Sequence, residues 1–512
     1  MKLTEFKKSY SAIYKNPSDF NTQNSSRFDL YLRYMKMGFK LEDYQVPAAY
    51  VLAKFPDIWY TDAPGMGKTP TTIAAMSDMY HNGKTRFLVV VLASIIGQWK
   101  DSFTKFSSFD VSVVKGQRNS RYSTYEYFSK GNSDVLLVSY TTLITDFEII
   151  KKFNFDVLIC DESDFIKSTK SLSFQCIQEL SRKIRSIKLL TGTPFTGKLE
   201  DSFYAIILLT HERYSYFSLL RNFCVQRKVD VPIYDKKSGA KRMIKTNVID
   251  SYKNIEQFKE ITEGYIFGRS FEETGATLPQ TKDFFVQVTP SEKLLAFQKL
   301  ALAGVFIQPN KEKIKLNSLQ KISYLHRATH GLSTLYPDTA TRNPKKEALL
   351  NLLDQFGNEQ VAIFCNYKKV PEEIYNILEA RGGCSRCDGG IVGNSRLNSL
   401  EKFKDGTNQF LVLTLAGYAG VDLWNCHNLV IYDFIYNRAK FEQIKGRIVR
   451  KNSINPVSNI YYIFCKGTID EAVWALLERR KNLMNFFETE EAVGHEILED
   501  LQKIKGIQLS IL

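Results

Sequence analysis

Short apolar runs of strand length recur along this chain in two blocks, each running into a polar or glycine-bearing turn. In the first block they are Phe87–Leu92, Val135–Ser139, Val157–Cys160 and Lys188–Leu190. In the second they are Gln360–Phe364, Phe410–Thr414, Leu429–Tyr432 and Asn459–Phe464. Their continuous apolar character belongs to strands covered on both faces. Several are followed by helical patterning, and that alternation is the mark of a parallel, doubly wound sheet. The expected fold class is α/β, with two parallel-sheet lobes and a helical region between them. The expected boundaries are an N-terminal extension over 1–40, a first lobe over 41–210 and an inter-lobe region over 211–344. A second lobe over 345–485 and a helical tail over 486–512 complete the chain. The extension carries a helical pattern near Phe28–Met37. The inter-lobe region is lysine-rich, with a turn-rich basic section at Tyr234–Lys245.

Composition narrows the function classes. Hydrophobic residues at 44% and charged residues at 24% exclude a mainly disordered or collagen-like chain. No run reaches the ~18 apolar residues of a membrane span, and the early lysines precede no apolar core of a secretory signal. The expectation is a cytoplasmic protein with no membrane partner. A net charge of +14 favours a polyanionic partner, although a lysine-rich coding bias gives the same balance. The eight cysteines mostly sit in apolar contexts, as reduced core thiols do. Cys384 and Cys387 have CxxC spacing but no second pair, so a glycine-rich surface loop is expected there rather than zinc.

The strongest local signal is Asp62-Ala63-Pro64-Gly65-Met66-Gly67-Lys68-Thr69, ahead of a helical run over Thr71–Met79. A glycine-rich turn opening a helix points backbone N–H groups at an anion. Lys68 would then reach the β- and γ-phosphates, and the Thr69 hydroxyl would ligate Mg²⁺. The strict phosphate-loop pattern has glycine where Asp62 stands. Further on, the apolar run Val157–Cys160 ends in Asp161-Glu162. A carboxylate pair closing a buried strand is costly without a cation, so Asp161 is the candidate metal ligand. Glu162 is the candidate to polarise water.

The order GxGKT, then Asp161-Glu162-Ser163-Asp164, Leu190-Thr191-Gly192-Thr193-Pro194 and Gln443-Ile444-Lys445-Gly446-Arg447-Ile448-Val449-Arg450 resembles superfamily 2 helicases and translocases. Within them it is most similar to the SWI/SNF-type ATPases. Leu41-Glu42-Asp43-Tyr44-Gln45 resembles the family's adenine-reading motif. Trp99 and Ser139-Tyr140 fall where the family has a tryptophan and an "SY" strand end. Gly268-Arg269 with Leu278-Pro279 and Lys282 resembles its basic-then-LPxK signature. Ala416–Leu423 and Gly467–Glu471 parallel its C-terminal segments. Two positions depart: Asp164 stands for the usual histidine, and Asp422 for the asparagine common in the SWI/SNF group.

The resemblance implies two RecA-like lobes with ATP and Mg²⁺ as cofactors. It implies a nucleotide site of Gln45, Pro64, Gly65, Met66, Gly67, Lys68 and Thr69, with Gly420 and Asp422 from the second lobe. The implied catalytic set is Lys68, Asp161, Glu162, Gln443, Arg447 and Arg450. Arg447 and Arg450, three apart, are expected on one helix face. Thr191 and Thr193 would couple nucleotide to polymer. Backbone contacts to DNA would come from Ser94, Lys100, Ser139, Thr141, Thr142, Asn366, Lys368 and Thr414. The basic loop at Lys236–Lys245 is a second candidate contact. The expected function is an ATP-dependent DNA translocase or helicase on double-stranded, forked or branched DNA, in replication, recombination or repair. A monomer is expected, with replication or recombination proteins as partners, in a compact phage, viral or bacterial form. Two alternatives stay open: an RNA-directed or transcription-complex-remodelling ATPase, and a non-catalytic nucleic-acid-binding scaffold.

Overall fold

The apolar runs form the centres of two parallel sheets. In the first, β1 (Asp57–Tyr60), β2 (Phe87–Val91), β3 (Val111–Val113), β4 (Val135–Ser139), β5 (Val157–Cys160) and β6 (Ile187–Leu190) are joined by a two-residue strand at Ile266–Phe267. Its order is β3-β4-β2-β5-β6-β1 and then Ile266–Phe267, parallel throughout. Successive side chains leave a strand on opposite faces. Leu88, Val90, Leu136, Val138 and Leu158 therefore enter one apolar cluster, and Phe87, Val89, Val91, Val135 and Leu137 enter the other. Both faces are covered, which is why these strands read as continuous apolar runs.

The computed structural model describes residues 2–13, 28–195, 198–234, 241–274, 279–309, 312–336, 343–367, 369–391, 394–418, 421–450, 453–479 and 497–501. These fall into two units, one taking in the chain to 276 and one the chain from 277. Among the described residues no helix is long and apolar enough to cross a membrane.

The stretch 211–344, expected as one helical region, is divided between the units. In the first unit it holds an antiparallel hairpin of β7 (Cys224–Tyr234) and β8 (Lys241–Tyr252), and the edge strand Ile266–Phe267, here β9. In the second it supplies β10 (Gln280–Val288), the small pair β11 (Val305–Ile307) and β12 (Lys313–Lys315), and the helices Glu292–Leu302 and Ser318–Thr329. Residues 235–240 of the basic section lie outside the described residues.

The second sheet adds β13 (Val361–Phe364), β14 (Cys384–Cys387), β15 (Phe410–Leu413), β16 (Asn428–Ile431) and β17 (Val457–Cys465). Its order is β10-β17-β16-β13-β15-β14, again parallel. Cys384 and Cys387 are both buried in an edge strand, not in a surface loop. The fold class is thus α/β with two parallel sheets.

The helix expected near Phe28–Met37 does not form. The Tyr31 and Tyr34 amides donate instead to Asp78 Oδ1 (3.0 Å) and Ser77 Oγ (3.1 Å), and Met35 bridges to Ser107. Tertiary anchors on the helix Lys68–His81 override the local pattern.

Candidate functional site

In the first unit the candidate residues collect at the carboxyl ends of β1, β2, β4, β5 and β6, the edge where parallel sheets bind ligands. Register sets this: Tyr60 pairs with Leu190, Val90 with Cys160 and Val91 with Ser139.

The loop after β1 turns sharply at two glycines, Gly65 (φ 94°) and Gly67 (φ 75°). Gly67 caps the helix Lys68–His81, in the left-handed region that disfavours a side chain. A Cβ there would lie 2.4 Å from Gln45 Nε2. Gln45 is buried against the loop: its Nε2 donates to Met66 O (3.0 Å), and its Oε1 accepts from the Glu42 amide (3.0 Å). Met66 is fully buried, while Pro64 and Thr69 are half-buried. Lys68 Nζ donates to Asp62 O (2.7 Å) and Ala63 O (3.3 Å). The segment after β6 closes on the same loop. Thr191 N donates to Tyr60 O (3.1 Å), and a Cβ on Gly192 would lie 2.8 Å from Pro64 Cγ. Thr191 and Thr193 are buried, with Thr193 N donating to Thr191 Oγ1 (3.1 Å).

Asp62, the departure from the strict glycine pattern, is explained here. Its carboxylate is fully buried and takes both nitrogens of the Arg269 fork, Nη2 to Oδ2 at 2.6 Å and Nε to Oδ1 at 3.1 Å. The Tyr60 hydroxyl donates to the same Oδ2 (2.9 Å). The backbone is stitched alongside: Thr61 N donates to Phe267 O (2.8 Å) and Ala63 N to Arg269 O (3.0 Å). Contact is so close that a Cβ on Gly268 would sit 1.9 Å from Thr61 Oγ1 and 2.7 Å from Thr61 O. Arg269 was visible in the sequence as part of a signature, but nothing local marked it as the support of a loop so far upstream.

Asp161 follows β5 and is held at four atoms. Its amide donates to Val90 O (2.9 Å), and its Oδ1 accepts from the Glu162 amide (2.9 Å). Its Oδ2 accepts from Trp99 Nε1 (2.7 Å), and its carbonyl accepts from the Tyr140 hydroxyl (2.9 Å). Glu162 takes a left-handed backbone (φ 47°, ψ 51°), a conformation uncommon for a residue with a side chain and frequent at functional sites. Burial, then the Glu162 charge, pushes the Asp161 carboxyl up to about 6, against the Trp99 bond, the Glu162 amide and Lys68, which pull it down. A buried carboxylate held at that cost fits a cation-binding role, and the glycine turn before a helix fits a phosphate.

Ser94 sits half-buried in the turn Ala93–Ile95, and Lys100 is exposed on the helix Ile96–Phe106. Ser139 is buried and caps the helix Tyr140–Thr145, accepting from the Thr142 amide (3.0 Å); Thr141 beside it is exposed.

In the second unit, Asn366 and Thr414 follow the paired strands β13 and β15. The Asn366 amide donates to Asp433 Oδ2 (2.6 Å), and Asp433 Oδ1 meets His330 Nε2 (2.8 Å), both side chains buried. Lys368 and Gly420 lie outside the described residues. Gln443, Arg447 and Arg450 meet Tyr418, Val421 and Asp422 respectively. Gln443 Oε1 accepts from the Tyr418 hydroxyl, and Arg447 Nη1 donates to Val421 O (3.4 Å). Arg450 Nε lies 3.3 Å from Asp422 Oδ1. The two arginines do not share a helix face. The helix Arg438–Lys445 ends before them, and Gly446 N closes it on Glu442 O (2.8 Å).

The SNF2-related domain matches residues 59–335, and the helicase conserved C-terminal domain matches 344–452. An uncharacterized ATP-dependent helicase of Mycoplasma pneumoniae is 26% identical over 91% of this chain and 45% of its own length. A RAD54-like DNA repair and recombination protein of Drosophila pseudoobscura is 23% identical over 88% of this chain and 63% of its own. The chain thus spans about half to two thirds of these relatives. The Sulfolobus solfataricus SWI2/SNF2 ATPase core, solved with dsDNA, is 21% identical at a TM-score of 0.39, covering 92% of this chain and 98% of that one. Since the first match alone takes in more than half of the chain, this protein belongs to the SNF2-related family, with a helicase conserved C-terminal domain following.

Proposed function

We propose that the protein is an ATP-driven translocase on double-stranded or branched DNA, serving fork remodelling, branch migration or repair. The observation that carries this reading is the single sheet edge on which a glycine phosphate loop, the Asp161-Glu162 pair and the exposed Lys100 and Thr141 all stand. The repair and recombination names of the RAD54-like relatives support the choice of DNA.

In this reading the loop amides around Gly65–Gly67 and the Lys68 ammonium hold the β- and γ-phosphates, and Gln45 reads the adenine. Thr69 and Asp161 would hold Mg²⁺, which when bound neutralises charge on the phosphates. Glu162 orients the attacking water. Arg447 and Arg450 supply fixed charge to the phosphoryl group as its bond breaks, and Gln443 supplies a neutral amide beside them. Thr191 and Thr193 relay between phosphate loop and polymer. Ser94, Lys100, Thr141, Asn366, Lys368 and Thr414 contact the DNA backbone, with Ser139 shaping the Thr141 turn from beneath. Such contacts position without reading sequence, so weak sequence preference and strong salt dependence follow.

The test is the steady-state ATPase rate with no polymer, single-stranded DNA, duplex, forked or four-way DNA, and RNA. Stimulation by duplex or branched DNA supports the proposal. Stimulation by RNA alone replaces it with an RNA-directed ATPase.

A further inference from the structure

Asp161 is contacted by two buried aromatic side chains, and each comes from a segment proposed above to meet DNA. Trp99 lies on the helix Ile96–Phe106, directly after the Ser94 turn and between the exposed residues Gln98 and Lys100. Its indole N–H reaches the Asp161 carboxylate itself, Nε1 to Oδ2 at 2.7 Å. Tyr140 opens the helix Tyr140–Thr145, between the cap Ser139 and the exposed Thr141. Its hydroxyl donates to the Asp161 carbonyl at 2.9 Å. Both rings are about 1% exposed. A buried aromatic ring has few rotamers and close-packed neighbours, so it moves with its backbone rather than swinging independently. A displacement of either segment is therefore delivered to Asp161 through one hydrogen bond, with no intervening residue.

We propose that Trp99 and Tyr140 are positioning residues that couple polymer binding to hydrolysis, by setting the place of the Asp161 carboxylate. This rests on the proposed DNA-stimulated ATPase. DNA phosphates drawing on the Lys100 and Thr141 segments shift the indole and the phenol, and with them the carboxylate. Trp99 acts on one carboxylate oxygen, Oδ2, and Tyr140 on the backbone carbonyl, so together they hold the residue at both ends.

The experiment uses the full chain with Trp99→Phe and Tyr140→Phe, each of which keeps a ring and removes one donor. Duplex affinity, the ratio of DNA-saturated to basal kcat, and the Mg²⁺ concentration at half-maximal rate are measured for each. The expected result is duplex affinity within about twofold of wild type, a stimulation ratio reduced at least fivefold, and a raised Mg²⁺ requirement. Basal and stimulated rates falling by the same factor would overturn the coupling role, as would an unchanged ratio. A readout independent of turnover is the indole N–H resonance of Trp99, assigned by its absence in Trp99→Phe. It should shift when duplex DNA is added without nucleotide, and a resonance that stays put while DNA binds contradicts the proposal. If Trp99→Phe does not fold, Tyr140→Phe carries the test through its stimulation ratio and its Mg²⁺ requirement. A wild type that no polymer stimulates sinks the underlying function instead, and is told apart because it needs no variant.

Discussion

Arg269 grips both carboxylate oxygens of Asp62 from 207 residues further along the chain, at 2.6 and 3.1 Å, with both side chains buried. The pair ties the phosphate loop to the short edge strand β9. Removing one partner strands a buried charge, which costs about 3–5 kcal/mol. Arg269→Met is expected to lower the melting temperature sharply and to weaken ATP binding. Asp62→Gly, which restores the strict phosphate-loop pattern, should do the same rather than improve the site. Thermal melts and nucleotide titrations check this; a neutral Asp62→Gly would show that the pair supports nothing.

Gly67 cannot carry a side chain without strain of about 1–2 kcal/mol in its left-handed backbone, and its Cβ would press on Gln45 Nε2. Gly67→Ala should weaken ATP binding at least tenfold. Gln45→Ala should raise KM for ATP several-fold and narrow the preference for ATP over GTP. Competition between the two nucleotides reads the second effect directly.

Arg450 is proposed to act on the phosphoryl group as its bond breaks rather than in ground-state binding. Arg450→Ala should therefore lower kcat by two or more orders of magnitude while ATP still binds. A variant that loses affinity but keeps kcat would assign Arg450 to nucleotide binding. Asp422→Asn, which removes the charge facing Arg450 at 3.3 Å, should have a far smaller effect on kcat.

Acid should weaken the second unit through His330. Burial holds its imidazole below the ordinary 6.5, against the opposing pull of Asp433. The unfolded chain therefore takes up this proton first, and stability falls as pH drops from about 6.5 towards the lower folded value. His330→Gln keeps a donor for Asp433 without titrating. It should lose less melting temperature than wild type between pH 7.5 and 5.5; parallel curves would exclude His330 as the cause.

Much of this was legible because strand interiors and phosphate loops are local. Val135–Ser139 and Val157–Cys160 read as buried strands since every residue in them is apolar or strand-ending, and their bounds are those of β4 and β5. What stayed hidden depends on distant partners. Asp62 reads as an imperfection until Arg269 is beside it. Tyr31 and Tyr34 read as helical until Asp78 and Ser77 take their amides. The hairpin of β7 and β8 was masked by the adjacent basic pairs Arg227-Lys228 and Lys241-Arg242, which break the period-two pattern of a strand. Arg447 and Arg450 keep helical spacing, yet the turn at Gly446 takes them off the helix, since spacing alone does not mark a C-cap.

On the function proposed above, ATP hydrolysis moves this protein along duplex DNA. The most direct measurement is displacement of a third strand annealed to a duplex, with wild type and Lys68→Ala, each with ATP and with a non-hydrolysable analogue. Release of the third strand by wild type with ATP, and in no other combination, is the predicted result. Duplex-stimulated hydrolysis without release, or release that survives Lys68→Ala, would contradict it.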